Sequence, residues 1–454
     1  MPNSGARPFR VALSRTYFRH MKITVLGTGY LGATHAACMA ELGHEVLGVD
    51  VNLSKIAALS EGKVPFHEPG LPAVLKRNIE AGRLRFTDSY EEAGEFGDVH
   101  FIAVGTPQRK GEFAADMTYV NSVIDSLVPH LRRDAVILGK STVPVGTTDL
   151  LRARAAELVP AGVNVEFAWN PEFLREGHAV KDTLEPDRLV LGVEPGGRAE
   201  EVAREVYAGI LARDTPFFVT DTATAELVKI SANAFLATKI SFINAVAEVC
   251  EAAGADVVAL ADAIGVDTRI GRKFLGAGIG FGGGCLPKDI RAFMARSGEL
   301  GAGHMHGLLR EVDAINMSRR TRMVDLAREA CGGSLLGAKV AVLGAAFKPD
   351  SDDVRDSPAL NIAGQIQLQG AAVSVYDPEA MDNSRRVFPT LDYATTALEA
   401  CEGADVVLVL TEWTQFRELD PAVVGAVVRN PVLLDGRNCM PSADWVAAGW
   451  ECRA

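Results

Sequence analysis

From Met21 onward, short apolar runs recur between amphipathic stretches: KITVLG, HEVLGVD, DVHFIAVG, AVILGKS, VEFAWN and RLVLGV. Continuous β-branched runs of this kind belong to strands covered on both faces, and helical patterns between them supply the cover. A doubly wound parallel sheet over residues 21–220 is the expected result. After the break CGGSLLGA the alternation returns as KVAVLG, AVSVYD, ADVVLVL and PVLLDG, predicting a second, smaller domain of the same type over residues 335–454. Between the two lies Thr222–Gly254, with neither proline nor internal glycine. Thirty helical residues would reach roughly 45 Å. Apolar residues on more than one face of this helix predict packing against both domains and another subunit. More helix-forming sequence follows to about Leu326, so residues 221–330 form a central helical and dimerisation region. The expected fold class is α/β: two Rossmann-like doubly wound domains joined by a long central helix.

A chain of 454 residues suits two or three folding units. Its net charge of −12 argues against nucleic acid or an anionic membrane as partner, while leaving room for a local basic pocket. No run of about eighteen apolar residues occurs, so no membrane span is expected. Seven cysteines without CxxC or metal-like spacing point to a reducing cytoplasm and no metal. Residues 1–20, Arg-rich and without an apolar core, read as a disordered extension.

GTGYLG, Gly27–Gly32, follows a strand pattern and opens a helix, which is the setting a dinucleotide fingerprint needs. Gly27 permits the tight turn, Gly29 the approach of a pyrophosphate, and Gly32 close packing of helix on strand. The first-turn residues Tyr30 and Leu31 present amides to the phosphates. Asp50 lies eighteen residues beyond Gly32, placed for ribose hydroxyls, and its charge favours NAD over NADP. Lys55 either approaches the adenosine end or is a solvated helix lysine. The loops VGTP, with Thr106, and STVPVGTT, with Thr142, leave strand ends where ligands of open sheets collect.

The stretch GFGGGCLPKD places Cys285 after three glycines and just ahead of Pro287. With a helix starting there, its dipole favours the thiolate. In WNPEFLREG, Glu172 and Glu176 would share a face if the segment were helical, and Lys229 and Asn233 have the same spacing on the long helix. Each pair alone also suits a solvated surface. An NAD site beside a nucleophilic cysteine suggests oxidation of an alcohol through the aldehyde to the acid, the aldehyde being trapped as a thiohemiacetal and released from a thioester.

Together, GTGYLG, GVDVN, VGTP, STVPVGTT, NPEFLREG, ELVKISANAFLATK, RIGRKFLGAGIGFGGGCLPKD and AFKPDSDDVRDSP resemble the UDP-glucose/GDP-mannose dehydrogenase family, in order over about residues 21–440. The resemblance implies NAD as cofactor, UDP-glucose as substrate, a homodimer and a place in polysaccharide precursor synthesis. It implies Cys285 as nucleophile and Lys229 and Asn233 as oxyanion donors. Asp289, Glu172 and a water near Thr142 would handle protons. Phe173, Leu174, Arg175, the segment 276–282 with Phe281 and Gly282, Phe347, Lys348 and Arg437 would meet the sugar nucleotide. Glu176 and Arg355 would meet cofactor, and Arg269 would reach a neighbouring subunit's substrate. GDP-mannose, UDP-N-acetylmannosamine and UDP-N-acetylglucosamine remain alternative substrates for the same catalytic set. More distant alternatives are a two-electron hydroxyacid dehydrogenase and an NAD-responsive scaffold without catalysis.

Overall fold

A computed structural model describes residues 20–453, so residues 1–19 of the expected N-terminal extension lie outside the described residues. The first sheet has eight strands: β1 Lys22–Leu26, β2 Glu45–Val49, β3 Leu84–Thr87, β4 Val99–Ile102, β5 Ala135–Gly139, β6 Val165–Trp169, β7 Leu189–Gly192 and β8 Phe217–Thr220. Their order is β3-β2-β1-β4-β5-β6-β7-β8. The second sheet comprises β9 Lys339–Leu343, β10 Ala372–Tyr376, β11 Asp392–Tyr393, β12 Val406–Val409, β13 Val432–Asp435 and β14 Glu451–Arg453, ordered β11-β10-β9-β12-β13-β14. Its pairs are all parallel. The first six strands of the N-terminal sheet and all six of the second follow the doubly wound order 3-2-1-4-5-6.

One expectation needs correcting: the first sheet is not parallel throughout. β7 pairs antiparallel with β6, at Trp169 and Gly192, and β8 then runs parallel to β7. The chain between β6 and β7 contains only the short helix Ala179–Leu184, too little for a full crossover back across the sheet.

The inner strands of both sheets are buried on both faces. β4, β5, β7 and β12 have no exposed residue. Two apolar clusters cover the faces of the first sheet and one large cluster surrounds the second. In each sheet the first strand's neighbours diverge in sequence, β2 and β4 around β1, β10 and β12 around β9. Such switch points open a crevice at the strand carboxyl ends.

The spine helix runs from Thr222 to Ala253, 32 residues. Asp221 caps it, its side chain accepting from the Thr224 N–H at 2.8 Å, and Gly254 ends it in the left-handed conformation at φ +69°. By length and hydropathy this helix would cross a bilayer. Its buried polar side chains instead mark a protein core, because each bonds another segment. Glu226 accepts from the N–H groups of Gly146 and Thr148, both at 2.7 Å, and Asn233 donates to Asp289 at 2.7 Å. Ser241 donates to the Val312 carbonyl, and Asn244 accepts from the Gly278 N–H, both at 2.8 Å.

The spine packs on β6, β7 and the helices that follow it, Val257–Gly265, Leu286–Glu299 (the cysteine helix) and Gly303–Ala330 (the return helix). The main helical link to the second domain is the return helix, which packs on helix Pro358–Leu368 and on β12 and β13.

The second domain buries a carboxylate at the turn after its second strand. Asp377, fully buried after β10, accepts from the N–H groups of Ala345 (2.7 Å), Ala346 (3.0 Å), Glu379 (3.0 Å) and Ala380 (2.9 Å) and from Trp413 Nε1 (3.1 Å). Asp377 thus stands where Asp50 stands in the first domain, at the end of the second strand, bonded to the loop that leaves the first. Replacing Asp377 by Ala leaves five donors without that acceptor. The expected cost is on the order of 3 kcal/mol or more, seen as a lowered thermal midpoint; an unchanged midpoint would show that water serves these donors equally well.

Candidate active site

The fingerprint loop joins β1 to the helix Tyr30–Glu41. Gly27 has φ +92°, and a Cβ on Gly32 would lie 1.8 Å from the Gly27 carbonyl oxygen, so neither position accepts a side chain. A Cβ on Gly29 would meet nothing within 4 Å, which leaves the face open that a pyrophosphate must approach. The first intrahelical bond is from the Ala33 N–H to the Gly29 carbonyl, 2.9 Å. The amides of Tyr30, Leu31 and Gly32 therefore precede the ladder, as an anion site requires. Leu31 itself packs on the domain core.

Asp50, at the end of β2, accepts from the Thr28 N–H (2.9 Å), the Thr28 hydroxyl (3.1 Å) and the Asn52 N–H (3.0 Å). Lys55 is neither free nor distant: its Nζ lies 2.7 Å from Asp50 Oδ2. Burial acts to raise the Asp50 carboxyl, but the hydrogen bonds from Lys55, Asn52 and Thr28 outweigh it and the net direction is down. The open loop, the free amides and the ionised carboxylate fit a dinucleotide. Gly27–Gly32 would hold its pyrophosphate and Asp50 its ribose.

Next to this crevice the cysteine helix begins at Leu286, with Cys285 at its N-cap. Cys285 and Asp289 are one turn apart, the Asp289 N–H donating to the Cys285 carbonyl at 3.0 Å. The Asp289 carboxylate, 2% exposed, is held by Asn233 Nδ2 at 2.7 Å and by Lys288 Nζ at 2.6 Å. Lys288 also reaches the Thr106 hydroxyl at 3.4 Å, and that hydroxyl donates to the Thr142 carbonyl at 2.7 Å. Thr106, Thr142, Lys288 and Asp289 line one cleft.

The glycines before Cys285 mark where the second domain docks. Gly283 has φ +86° and lies under the Phe347 ring, 2.8 Å from where its Cβ would be; a Cβ on Gly284 would stand 2.2 Å from the Arg355 guanidinium carbon. The glycine run thus brings Phe347 and Arg355 against the Cys285 loop. Arg437 ties the same loops, donating to the carbonyls of Leu410 (2.8 Å), Gly280 (3.2 Å) and Phe347 (3.1 Å). Phe281 is buried, its N–H bonded to Asn316 at 2.7 Å, and a Cβ on Gly282 would strike the Asp356 carbonyl at 2.4 Å.

Glu172 and Glu176 do not share a helix face, because residues 170–178 form an irregular segment with no helix. Pro171 and Gly177 interrupt it, and Gly177 takes φ +80°. Glu172 turns back, accepting from the N–H groups of Phe173 (2.7 Å) and Leu174 (3.1 Å) and pairing with the buried Lys140 at 3.2 Å. Glu176 pairs with Arg355 across the domain boundary at 3.1 Å. Burial first, and the neighbouring Asp353 second, push its carboxyl up to about 7, against Arg355 and Lys348. Lys348 donates to the Glu176 carbonyl at 2.5 Å. Phe173 lies between Arg188, 4.1 Å from its ring centre, and Lys229, at 5.4 Å.

Two predicted residues stand apart from the cleft. Arg175 is exposed and bound to Asp182, and Arg269 is exposed and bound to Asp267. Sequence reasoning missed Lys140, Lys288 and Glu68. Lys288 was within reach, as a cation beside Asp289 in LPKD. Glu68 and Lys140 show no periodic signal, being polar residues at the ends of loops or strands.

The ionisation of Cys285 also differs from expectation. Its surface is exposed, yet it stands in a crowded cleft where burial, then Asp289, push the thiol up, with Lys288 and Lys229 pulling down.

Family models match the chain in three consecutive parts. Residues 21–211 match the NAD binding domain of the UDP-glucose/GDP-mannose dehydrogenase family, 223–318 its central domain and 341–442 its UDP binding domain. A UDP-glucose 6-dehydrogenase of Rhizobium meliloti is 44% identical over 419 residues, 92% of this chain and 95% of that protein. The structure of a UDP-glucose dehydrogenase from Pyrobaculum islandicum superposes with a TM-score of 0.89 at 39% identity, covering 95% of this chain and 98% of that one. A UDP-D-ManNAc dehydrogenase from Pyrococcus horikoshii does so with a TM-score of 0.84 at 27% identity, covering 95% and 98%.

The charges around Cys285 set the sign of a direct test. Its alkylation by iodoacetamide, followed on the Cys285 peptide by mass spectrometry, should rise with pH to above the ordinary thiol range. Lys229→Met should displace the profile to higher pH and Asp289→Asn to lower pH. A profile already level below pH 7 would show that the helix end governs the thiol.

Proposed function

Because the chain belongs to the UDP-glucose/GDP-mannose dehydrogenase family, we propose that it oxidises C6 of UDP-glucose to the carboxylate, giving UDP-glucuronate. The observation that carries this is the convergence of Cys285, Asp289, Asn233 and Lys288 beside an intact dinucleotide loop, in a chain 44% identical to a UDP-glucose 6-dehydrogenase.

NAD, when bound, accepts the hydride that leaves carbon in each of two oxidations. The residues of the chain do the rest. Asp289, held by Asn233 and Lys288, and Glu172 are placed to take part in proton transfer. The first oxidation leaves an aldehyde, and the Cys285 Sγ adds to its carbon while the thiol proton passes to oxygen, giving a thiohemiacetal. Lys229 and Asn233 stabilise the oxygen as it gains charge, an effect worth several kcal/mol where donors are fixed beforehand. The second oxidation makes a thioester; water cleaves it to carboxylate and free thiol. Phe173, Leu174, segment 276–282, Phe347, Lys348 and Arg437 form the sugar-nucleotide side. Arg355 and Glu176, paired at 3.1 Å, would meet the cofactor.

The working unit is a homodimer. Phe235, Phe242 and Val249 recur every seven residues on the spine and are all exposed, an apolar stripe of the kind two helices bury together. Lys239 of the same helix holds the carbonyls of Ile270 and Gly271 at 3.0 Å, so Arg269, exposed and paired only with Asp267 of its own loop, lies beside the stripe and would exchange that partner for a second copy's substrate. All seven cysteines are unpaired, in keeping with a reducing cytoplasm.

With UDP-glucose limiting, two NADH per sugar should form, with UDP-glucuronate as product. Cys285→Ser should accumulate a covalent ester visible as added mass on the intact protein. One NADH per sugar, or turnover by the serine variant without an adduct, would refute the thioester route. For the assembly, Phe242→Glu should halve the mass measured by light scattering; an unchanged mass would place the interface elsewhere.

A further inference from the structure

The segment carrying Glu172–Glu176 is gripped from the cofactor side by a residue outside the family-derived site. Glu68 is 3% exposed and ends the loop after the helix Leu53–Ser60. Its Oε1 accepts from the Ala179 N–H at 2.8 Å and its Oε2 from the Gly177 N–H at 2.8 Å. The same Oε2 accepts from the Tyr30 hydroxyl, and that hydroxyl also lies 3.0 Å from the Gly177 nitrogen. Tyr30 is the fourth residue of the fingerprint, and its ring rests on Phe66 at 4.9 Å.

The same two residues, 176 and 177, are met from the opposite side by the second domain. Lys348 holds the Glu176 carbonyl, Arg355 its carboxylate, and the Asp350 carbonyl lies 2.9 Å from where a Cβ on Gly177 would stand. The loop bearing Glu68 touches that domain too, through His67 and Glu379 at 3.7 Å. Backbone 176–177 is therefore a junction between the dinucleotide loop, the loop that runs on from Phe173, Leu174 and Arg175, and the nucleotide-sugar domain.

With the function proposed above as premise, we propose that Glu68, through Tyr30, is a positioning residue that couples occupancy of the NAD loop to affinity for the UDP-sugar. The hydroxyl of Tyr30 sits on the first turn of the helix whose amides would hold pyrophosphate. Anything that fixes that turn fixes Tyr30, hence Glu68, hence the amides of Gly177 and Ala179. By reciprocity the sugar nucleotide, in ordering the 173–177 segment, tightens the dinucleotide by the same factor.

The test is a binding cycle with non-reacting pairs. NADH binding, read by its fluorescence, is measured alone and at saturating UDP-glucose, in the parent protein and in Glu68→Gln and Tyr30→Phe, with thermal unfolding as the check of folding. The readout is the ratio of the two dissociation constants, whatever each affinity is by itself. In the parent, UDP-glucose should tighten NADH by a factor of about five or more. In both variants that ratio should fall towards one. A purely structural role would weaken both ligands and leave the ratio where it was, which would overturn the coupling, as would a parent ratio of one. If calorimetry finds no UDP-glucose binding to the parent, the function proposed above falls first and the coupling with it. If Glu68→Gln does not fold, Tyr30→Phe, which deletes a single hydroxyl, decides alone.

Discussion

The stripe of buried polar side chains along the spine helix is the constraint from which the site takes its shape. A 32-residue helix with an apolar buried face alone would leave its neighbours free to slide. Glu226, Asn233, Ser241 and Asn244 each take one partner: the STVPVGTT turn, the cysteine helix, the return helix and the glycine loop. A buried donor or acceptor without its partner costs about 1–3 kcal/mol, so the register of all four segments is set together. Asn233 fixes Asp289 and thereby the turn carrying Cys285. Glu226 fixes the loop that presents Thr142.

The two sheets repeat one design and use it differently. In the first, Asp50 closes its own turn but leaves Gly29 open. In the second, Asp377 fills the corresponding turn with five hydrogen bonds. The loop after β9 reaches out, bringing Phe347, Lys348 and Arg355 to the other segments of the site. Three glycines before Cys285 are the counterpart of that reach, because the ring and guanidinium would collide with any side chain at Gly283 or Gly284.

Much of this was legible beforehand, and for identifiable reasons. Apolar runs buried on both faces marked the central strands, and glycines plus Asp50 marked the crevice, because those signals are local. The short strands β3, β8, β11 and β14 were missed; each is an outer or late strand whose residues are partly polar or exposed. The spacing of Glu172 and Glu176 misled, since a spacing of four has helical meaning only where the backbone is helical. Glu68 and Lys140 were invisible because their partners lie more than thirty residues away, as backbone amides or a carboxylate, and a single sequence carries no trace of such pairs.

The Cys285 thiol is pushed up first by burial and then by the carboxylate of Asp289. Asp289 is one turn from Cys285, and closeness of one carboxylate disfavours a second anion. Lys288 and Lys229 offset that only in part. The chemistry does not need a standing thiolate. A neutral thiol and an aldehyde give a neutral thiohemiacetal, with the proton moved from sulfur to oxygen and no net charge created. What must be stabilised is the charge on oxygen in passing, the part proposed above for Lys229 and Asn233. A thiol that stays protonated at rest also resists alkylation and oxidation, because both proceed through the thiolate. The raised thiol is therefore compatible with a nucleophile that attacks only an aldehyde formed beside it.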